Sequence, residues 1–384
     1  MSKQIILSDE RIISLAPPEV QEWGYWQFPT LYQSNEKVLY LNFSIQPDSC
    51  QSYGKKGGQY QSLDHGKTWQ EANIIGGFPL PDGTMIRPKQ MYPIPLDELT
   101  LPKPIYQPTY GYVKSIDLYD MKQIDPRYTK WYIARTQKDS LNGELLESIE
   151  EISVTADGYL MRASSGILIT PFFYNMNFFR RDADTIFAVS YHPIRTAQYQ
   201  SPYYHALYFQ SKDNGKSFEL LSIIPFKPPY PDIEHSEHCQ GFLEPSLCFI
   251  NEKTAFTLLR TTCVKGISPL YIAWSYDGCK TWTEPTYFDE FGVYPQSLQL
   301  NSHISLIGYG RPGLYIRLLC DGEFTEKVQI LPPEVPFQTC SYCALEQTGP
   351  NQAIIVYSKF NLIDEQGRNR KGIVCRDIQI VDTI

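Results

Sequence analysis

The chain has 384 residues, of which 42% are hydrophobic, 14% aromatic and 20% charged, a balance that excludes wholesale disorder, collagen and coiled coil. Its 34 Lys and Arg against 42 Asp and Glu give a net charge of −8, which argues against a nucleic-acid or anionic-membrane partner. No apolar run reaches the roughly 18–20 residues that cross a bilayer as a helix.

At the N-terminus, Lys3 precedes only a short apolar run, Ile5-Ile6-Leu7, too brief for the core of a signal peptide. A cytoplasmic protein is expected. The nine cysteines are scattered and odd in number. Cys340 and Cys343 make the one CxxC, with no second pair to complete a zinc site, so the thiols are read as reduced and structural. No metal or cofactor is expected, and no nucleotide or flavin fingerprint occurs.

Residues 4–15 read as a pair of strands. Lys37-Val38-Leu39-Tyr40-Leu41-Asn42-Phe43 is the next short run rich in β-branched and aromatic residues, and it is bounded by turn residues, the signature of a strand. Thr185-Ile186-Phe187-Ala188-Val189-Ser190-Tyr191 and Ala353-Ile354-Ile355-Val356-Tyr357 repeat the pattern. Long helical periodicity is nearly absent. Residues 97–162 are the least regular part, read as one or two degenerate units with an insertion, and the acidic run at 144–151 reads as a solvated face. No Gly/Ser- or Pro-rich linker divides the chain, so residues 1–384 are expected to form one domain.

A repeat stands out. Ser62-Leu63-Asp64-His65-Gly66-Lys67-Thr68-Trp69 is matched by Ser211-Lys212-Asp213-Asn214-Gly215-Lys216-Ser217-Phe218 and by Ser275-Tyr276-Asp277-Gly278-Cys279-Lys280-Thr281-Trp282, with a worn copy at Cys320-Asp321-Gly322-Glu323-Phe324. The aspartate can accept bonds from turn N–H groups, glycine supplies a positive φ, and the aromatic packs beneath. The repeat resembles the Asp-box, or bacterial neuraminidase repeat, of sialidase-like β-propellers, where its role is structural. Asp213 and Asp277 are 64 residues apart, and that spacing divides the chain into six. The expected fold is all-β, a six-bladed propeller of four-stranded antiparallel blades, with residues 4–15 closing the ring against residues 372–378.

The later blades carry Glu244 in Leu243-Glu244-Pro245, Arg260 ending a strand, Arg311 in Gly310-Arg311-Pro312 and Tyr342 in Ser341-Tyr342-Cys343. Their order resembles the sialidase active site, which implies a tyrosine nucleophile (Tyr342), its base (Glu244) and arginines that clamp a substrate carboxylate (Arg260 and Arg311). Arginine's planar fork suits a carboxylate, and sialidases depart from the two-carboxylate glycosidase scheme in this way. The resemblance places the general acid at Asp48, which follows Gln27-Phe28-Pro29 at a spacing of 21 residues. Gln27 stands where the family carries its first arginine, which opens the substrate to other acidic sugars or a neutral one.

The loop Asp232-Ile233-Glu234-His235-Ser236-Glu237-His238-Cys239 has no zinc-helix spacing and is read as leading substrate contacts, with His238, toward Glu244. His192 either faces the mouth or is structural. Trp23, Tyr25 and Trp26 could stack on a sugar or fill the space between the first and last blades. The expected partner is a carbohydrate. The expected activity is a sialidase-like exo-glycosidase cleaving a terminal, acidic sugar; a noncatalytic sugar-binding propeller and a propeller-type polysaccharide lyase are the alternatives.

Overall fold

Short apolar runs between turn residues become strands, and among the described residues no α-helix occurs. The structure, a computed structural model, describes residues 3–73, 76–107, 116–180, 185–262, 269–335 and 338–382, without the side chains of 175–180. The strands Tyr25–Gln33, Leu39–Ile45, Gly58–Ser62 and Gln70–Glu71 form the first antiparallel sheet.

An eight-stranded sheet follows, and it is two four-stranded halves. Phe78–Pro79, Met85–Lys89, Trp131–Lys138 and Leu145–Thr155 make one; Tyr174–Arg180, Ile186–His192, His205–Ser211 and Ser217–Ile224 make the other. A short parallel pairing of residues 153–155 with 217–219 joins them at their outer strands. The strands Phe242–Phe249, Ala255–Thr261, Leu270–Ser275 and Thr286–Asp289 form the next sheet, and Val293–Asn301, Ile304–Gly310 and Leu314–Cys320 lead the one after it.

In the last sheet Cys343–Gly349, Gln352–Ile363 and Asn369–Asp382 are joined by both N-terminal strands. Lys3–Leu7 and Arg11–Leu15 each pair with Asn369–Asp382, with Leu7 opposite Ile378 and Leu15 opposite Gly372. The expected closure of the two chain ends is therefore present.

The leading strands touch in a closed cycle. Tyr25–Gln33 meets Phe78–Pro79, Met85–Lys89 meets Tyr174–Arg180, which meets Phe242–Phe249; that strand meets Val293–Asn301, which meets Cys343–Gly349, and this returns to Tyr25–Gln33. Apolar side chains seal each junction: Leu31 and Leu41 pack with Ile354, Val356 and Ile373, and Leu258 and Ile272 pack with Ile307 and Tyr315. Each such side chain contributes about 1.5–3 kcal/mol when fully buried. A further small sheet, Ile94–Pro95, Ile116–Asp120, Leu160–Ser164 and Ile167–Ile169, spans and flanks the least regular stretch of sequence. All of the acidic run but Glu144 falls within Leu145–Thr155, mostly exposed, with Glu150 paired to Arg135 and Glu151 to Lys130 across the strands.

The three full repeats share one hydrogen-bond pattern. In the first, Ser62 Oγ donates to Asp64 Oδ1 at 2.8 Å and accepts from Gly66 N at 2.8 Å, while Thr68 N and Oγ1 donate to the Asp64 carboxylate at 2.9 and 2.6 Å. Asp213 with Ser217, and Asp277 with Thr281, repeat it. Cys279 takes the glycine position at φ +67. The worn copy differs: Asp321 and Gly322 form a tight hairpin turn at positive φ, and the Asp321 carboxylate meets His303 Nδ1 at 2.8 Å rather than its own turn.

Candidate active site

Besides Trp26, three leading-strand residues and one just ahead of a leading strand share an unusual backbone. Phe28, Glu244, Tyr294 and Ser341 have φ of +57, +48, +43 and +64. In the first three a proline follows, and the strand's pairing register slips across that proline. Proline has no N–H to give to the ladder, so pairing breaks there and the strand bulges. Non-glycine residues at positive φ cost on the order of 1–3 kcal/mol each; here that strain turns side chains away from the sheet faces and toward one another.

Glu244 is the hub. Its Oε1 accepts from the Tyr342 hydroxyl, from Arg260 Nη1 at 2.6 Å and from the Tyr174 hydroxyl at 3.1 Å, and its Oε2 accepts from the Tyr294 backbone N–H at 2.7 Å. Arg260 Nη1 also lies 3.4 Å from the Tyr342 hydroxyl. The Tyr342 ring stacks on Tyr294 at 4.3 Å and nearly parallel, and meets Phe28 edge-on at 5.0 Å.

Electrostatics follow from that packing. Burial pushes the Tyr342 phenol well above its ordinary value, and the Glu244 charge pushes it further, against Arg260 and Arg311. For Glu244 burial pulls upward, but the Arg260 charge and the donors from Tyr342, Arg260 and Tyr294 outweigh it, so the carboxyl sits below the usual range. The resting pair is a neutral phenol hydrogen-bonded to a carboxylate.

Arg311 lies above the Tyr342 ring at 5.7 Å and above the Trp23 ring at 5.6 Å, with Nη2 donating to the Cys340 carbonyl at 2.8 Å. Trp23, Arg311, Val335, Gln338 and Ser341 line a cavity of about 540 Å³. Asp48 lines a neighbouring cavity of about 480 Å³ with Phe28, Tyr53, Arg87 and Glu147. Trp23 Nε1 donates to Asp48 Oδ2 at 2.8 Å, and Trp23 meets Phe28 edge-on at 6.3 Å. Asp48 thus reaches Tyr342 through Trp23 and Phe28.

Gln27 does not face this space. It is fully buried, and with its carboxamide oxygen turned toward the donors it accepts from Gly24 N at 3.2 Å and Lys371 Nζ at 3.1 Å. A substrate contact expected at Gln27 is replaced by an internal one, because ring closure brings Lys371 against it. Burial pushes the Lys371 ammonium down to about 8.

His238 sits on the turn Ser236–His238, its ring stacked on His235 at 5.6 Å and its Nε2 4.0 Å from Glu237 Oε1. His192 is a structural residue: it is buried, stacks on Tyr159 at 4.4 Å, has Nδ1 2.6 Å from the Tyr191 carbonyl, and is pushed by burial down to about 3. Cys340 and Cys343 are buried thiols, the former 2.9 Å from Ser358 Oγ.

Sequence reasoning missed Tyr174, Tyr294 and the Arg87–Glu147 pair, joined at 2.5 Å. For Tyr294 a signal existed: Tyr294-Pro295 repeats Phe28-Pro29 and Glu244-Pro245 at the same place in a leading strand.

No protein-family model and no curated protein matches the sequence. Solved structures do. A protein of unknown function from Dyadobacter fermentans matches 98% of this chain and 99% of its own, at TM-score 0.64 and 16% identity. The NanB sialidase of Streptococcus pneumoniae matches 96% of this chain over 70% of its own, at TM-score 0.52 and 13% identity. The closed cycle of leading strands and these likenesses agree, and the chain has the β-propeller fold of the sialidase-like glycosidases.

Proposed function

We propose that the chain is a glycoside hydrolase: a single six-bladed propeller, its S-x-D turns serving as Asp-boxes, that cleaves a terminal acidic sugar with Tyr342 as nucleophile. The observation that carries this reading is the buried contact of Tyr342 with Glu244 and Arg260. Solitary tyrosines in a β core do not need a carboxylate and a guanidinium at the hydroxyl, whereas a phenol that must attack carbon does need a base within hydrogen-bond reach.

In the first step the phenol oxygen forms a bond to the anomeric carbon while its proton passes to Glu244. The bond to the leaving oxygen breaks, and Asp48 supplies that oxygen's proton. Water then displaces the tyrosyl oxygen from the sugar, giving a proton back to Asp48, and Glu244 returns its proton to the phenol. Arg311, above the Tyr342 ring and open to the cavity beside it, attracts a carboxylate on the sugar.

One arrangement favours a second reading, a noncatalytic sugar-binding propeller: Trp23 and Phe28 stand between Asp48 and Tyr342. Assay of a panel of aryl sialosides, uronides and neutral aryl glycosides with the chain and with Tyr342→Phe separates the two. Hydrolysis expects release of the aryl group from at least one acidic glycoside and a loss of about 10²–10⁴-fold in Tyr342→Phe. Binding without release supports the noncatalytic reading, and undiminished turnover in Tyr342→Phe overturns the mechanism.

A further inference from the structure

Arg162 lies on the strand Leu160–Ser164 of the small extra sheet. Its Nη1 donates to the Tyr204 hydroxyl at 3.0 Å and its guanidinium carbon is 5.8 Å from the Tyr204 ring centre. Its Nε is enclosed and has no partner. Three other part-buried arginines do have carboxylates: Arg260 has Glu244, Arg87 has Glu147 and Arg135 has Glu150. Among the described residues no carboxylate pairs with Arg162. The groups that feel its charge are the phenols of Tyr53, Tyr159 and Tyr191 and the imidazole of His192, which burial keeps neutral.

This guanidinium is linked to the Glu244 site through Tyr191 and Tyr53. Tyr191 meets Tyr174 edge-on at 4.4 Å, and the Tyr174 hydroxyl donates to Glu244. Tyr53 and Tyr174 both pack against Ile167, Ile169 and Phe172, and Tyr53 lines the cavity that holds Asp48. Arg162, Tyr53, Tyr174 and Tyr191 each keep part of their surface open, while His192, Tyr159 and Tyr204 close the space behind them. Arg311 thus lies against Tyr342 itself, and Arg162 connects to the Glu244–Tyr342 pair through Tyr191 and Tyr174.

An enclosed guanidinium among neutral phenols has lost its water without gaining an anion, which is costly unless a ligand supplies one. We infer that Arg162 binds an oxyanion substituent, a carboxylate or a sulfate ester, carried by the sugar away from the carbon that reacts. Tyrosine rings on either side suit a sugar's apolar face, and the planar fork of a guanidinium suits two oxygens of one anion. The assignment rests on the carbohydrate reading of the mouth but not on hydrolysis.

The test is isothermal titration of the full chain with matched sugars: glucuronic acid against glucose, and a sulfated galactose against galactose. Wild type is expected to bind at least one acidic member more tightly than its neutral counterpart. Arg162→Gln is expected to weaken that member by about tenfold or more, leave the neutral one unchanged, and keep the thermal midpoint, while Arg162→Lys restores part of the difference. Preference for glucuronic acid names a carboxylate, and preference for the sulfated sugar a sulfate ester. A wild type that discriminates neither pair, an Arg162→Gln that keeps the discrimination, or an equal loss for acidic and neutral sugars overturns the assignment. Because turnover is not read, failure of the hydrolase reading shows separately, as tight acidic binding without aryl release.

Discussion

Glu244 holds Tyr342, Arg260, Tyr174 and the Tyr294 N–H on two oxygens, so removing its charge disturbs packing as well as the proposed chemistry. Glu244→Gln leaves Arg260 enclosed without its carboxylate, and the expected loss is about 3–5 kcal/mol by denaturant unfolding. The sign of the pH dependence follows from the folded carboxyl lying below its unfolded value. Between those two values the unfolded chain binds more protons, so the Glu244 contribution is present above the ordinary carboxylate value and disappears as pH falls through the folded one. Turnover is expected to fall on the acid side below the ordinary glutamate range, with no alkaline fall from Tyr342 up to its ordinary value, since burial and Glu244 push that phenol upward. A pH profile of kcat/KM checks both limbs. That Glu244, Arg260 and Tyr342 would lie together was legible because their order along the chain resembles a known site. Gln27 was misread because its partner, Lys371, reaches it only when the ring closes, and Arg162 went unnoticed because its surroundings, phenols with no paired carboxylate among the described residues, are a property of packing alone.

Single turns and strands were the most legible elements, since their causes are local. The repeat at 62–69 places serine, aspartate and threonine where their side chains replace backbone partners, and this can be read from spacing. Its aspartate is expected to show the bonds it makes: the Thr68 hydroxyl, then the Thr68 N–H, hold the Asp64 carboxyl down to about 2. That contribution is complete above the unfolded value of about 4 and is lost as pH falls toward 2. Asp64→Ala should destabilise the chain by about 1 kcal/mol, because water replaces part of what is lost at a partly open turn. Urea melts at neutral pH and near the lower limit of the folded state should show the difference between the two chains shrinking with acid. The bulges at Phe28, Glu244 and Tyr294 were only half legible. Proline marks where a ladder breaks, but not which way the freed side chain turns.

At the scale of the molecule, closure by Lys3–Leu7 and Arg11–Leu15 on Asn369–Asp382 joins the two ends of the chain, and it was anticipated from two apolar segments with strand character. Arg11 fixes the seam with two bonds to Asp377 at 2.7 and 2.8 Å, and Ile5 is buried in the last sheet's core. Removing residues 1–8 is expected to cost at least about 2 kcal/mol through Ile5 alone and to bare the edge of Asn369–Asp382, a template for association. Denaturant unfolding with light scattering reads both effects. The joined eight-stranded sheet and the small extra sheet were not legible, because the parallel pairing of 153–155 with 217–219 depends on where two outer strands meet in space.

The ring carries Tyr342 and Glu244, 98 residues apart in sequence, into the contact on which the proposed chemistry rests. The most direct measurement is peptide mapping by mass spectrometry after incubation with the fluorinated, activated counterpart of an acidic aryl glycoside, which slows departure of the sugar from the nucleophile. A sugar-sized mass increment on the peptide containing Tyr342, absent from Tyr342→Phe, is the result expected. Aryl release with no increment on that peptide, or the same increment in Tyr342→Phe, would contradict it.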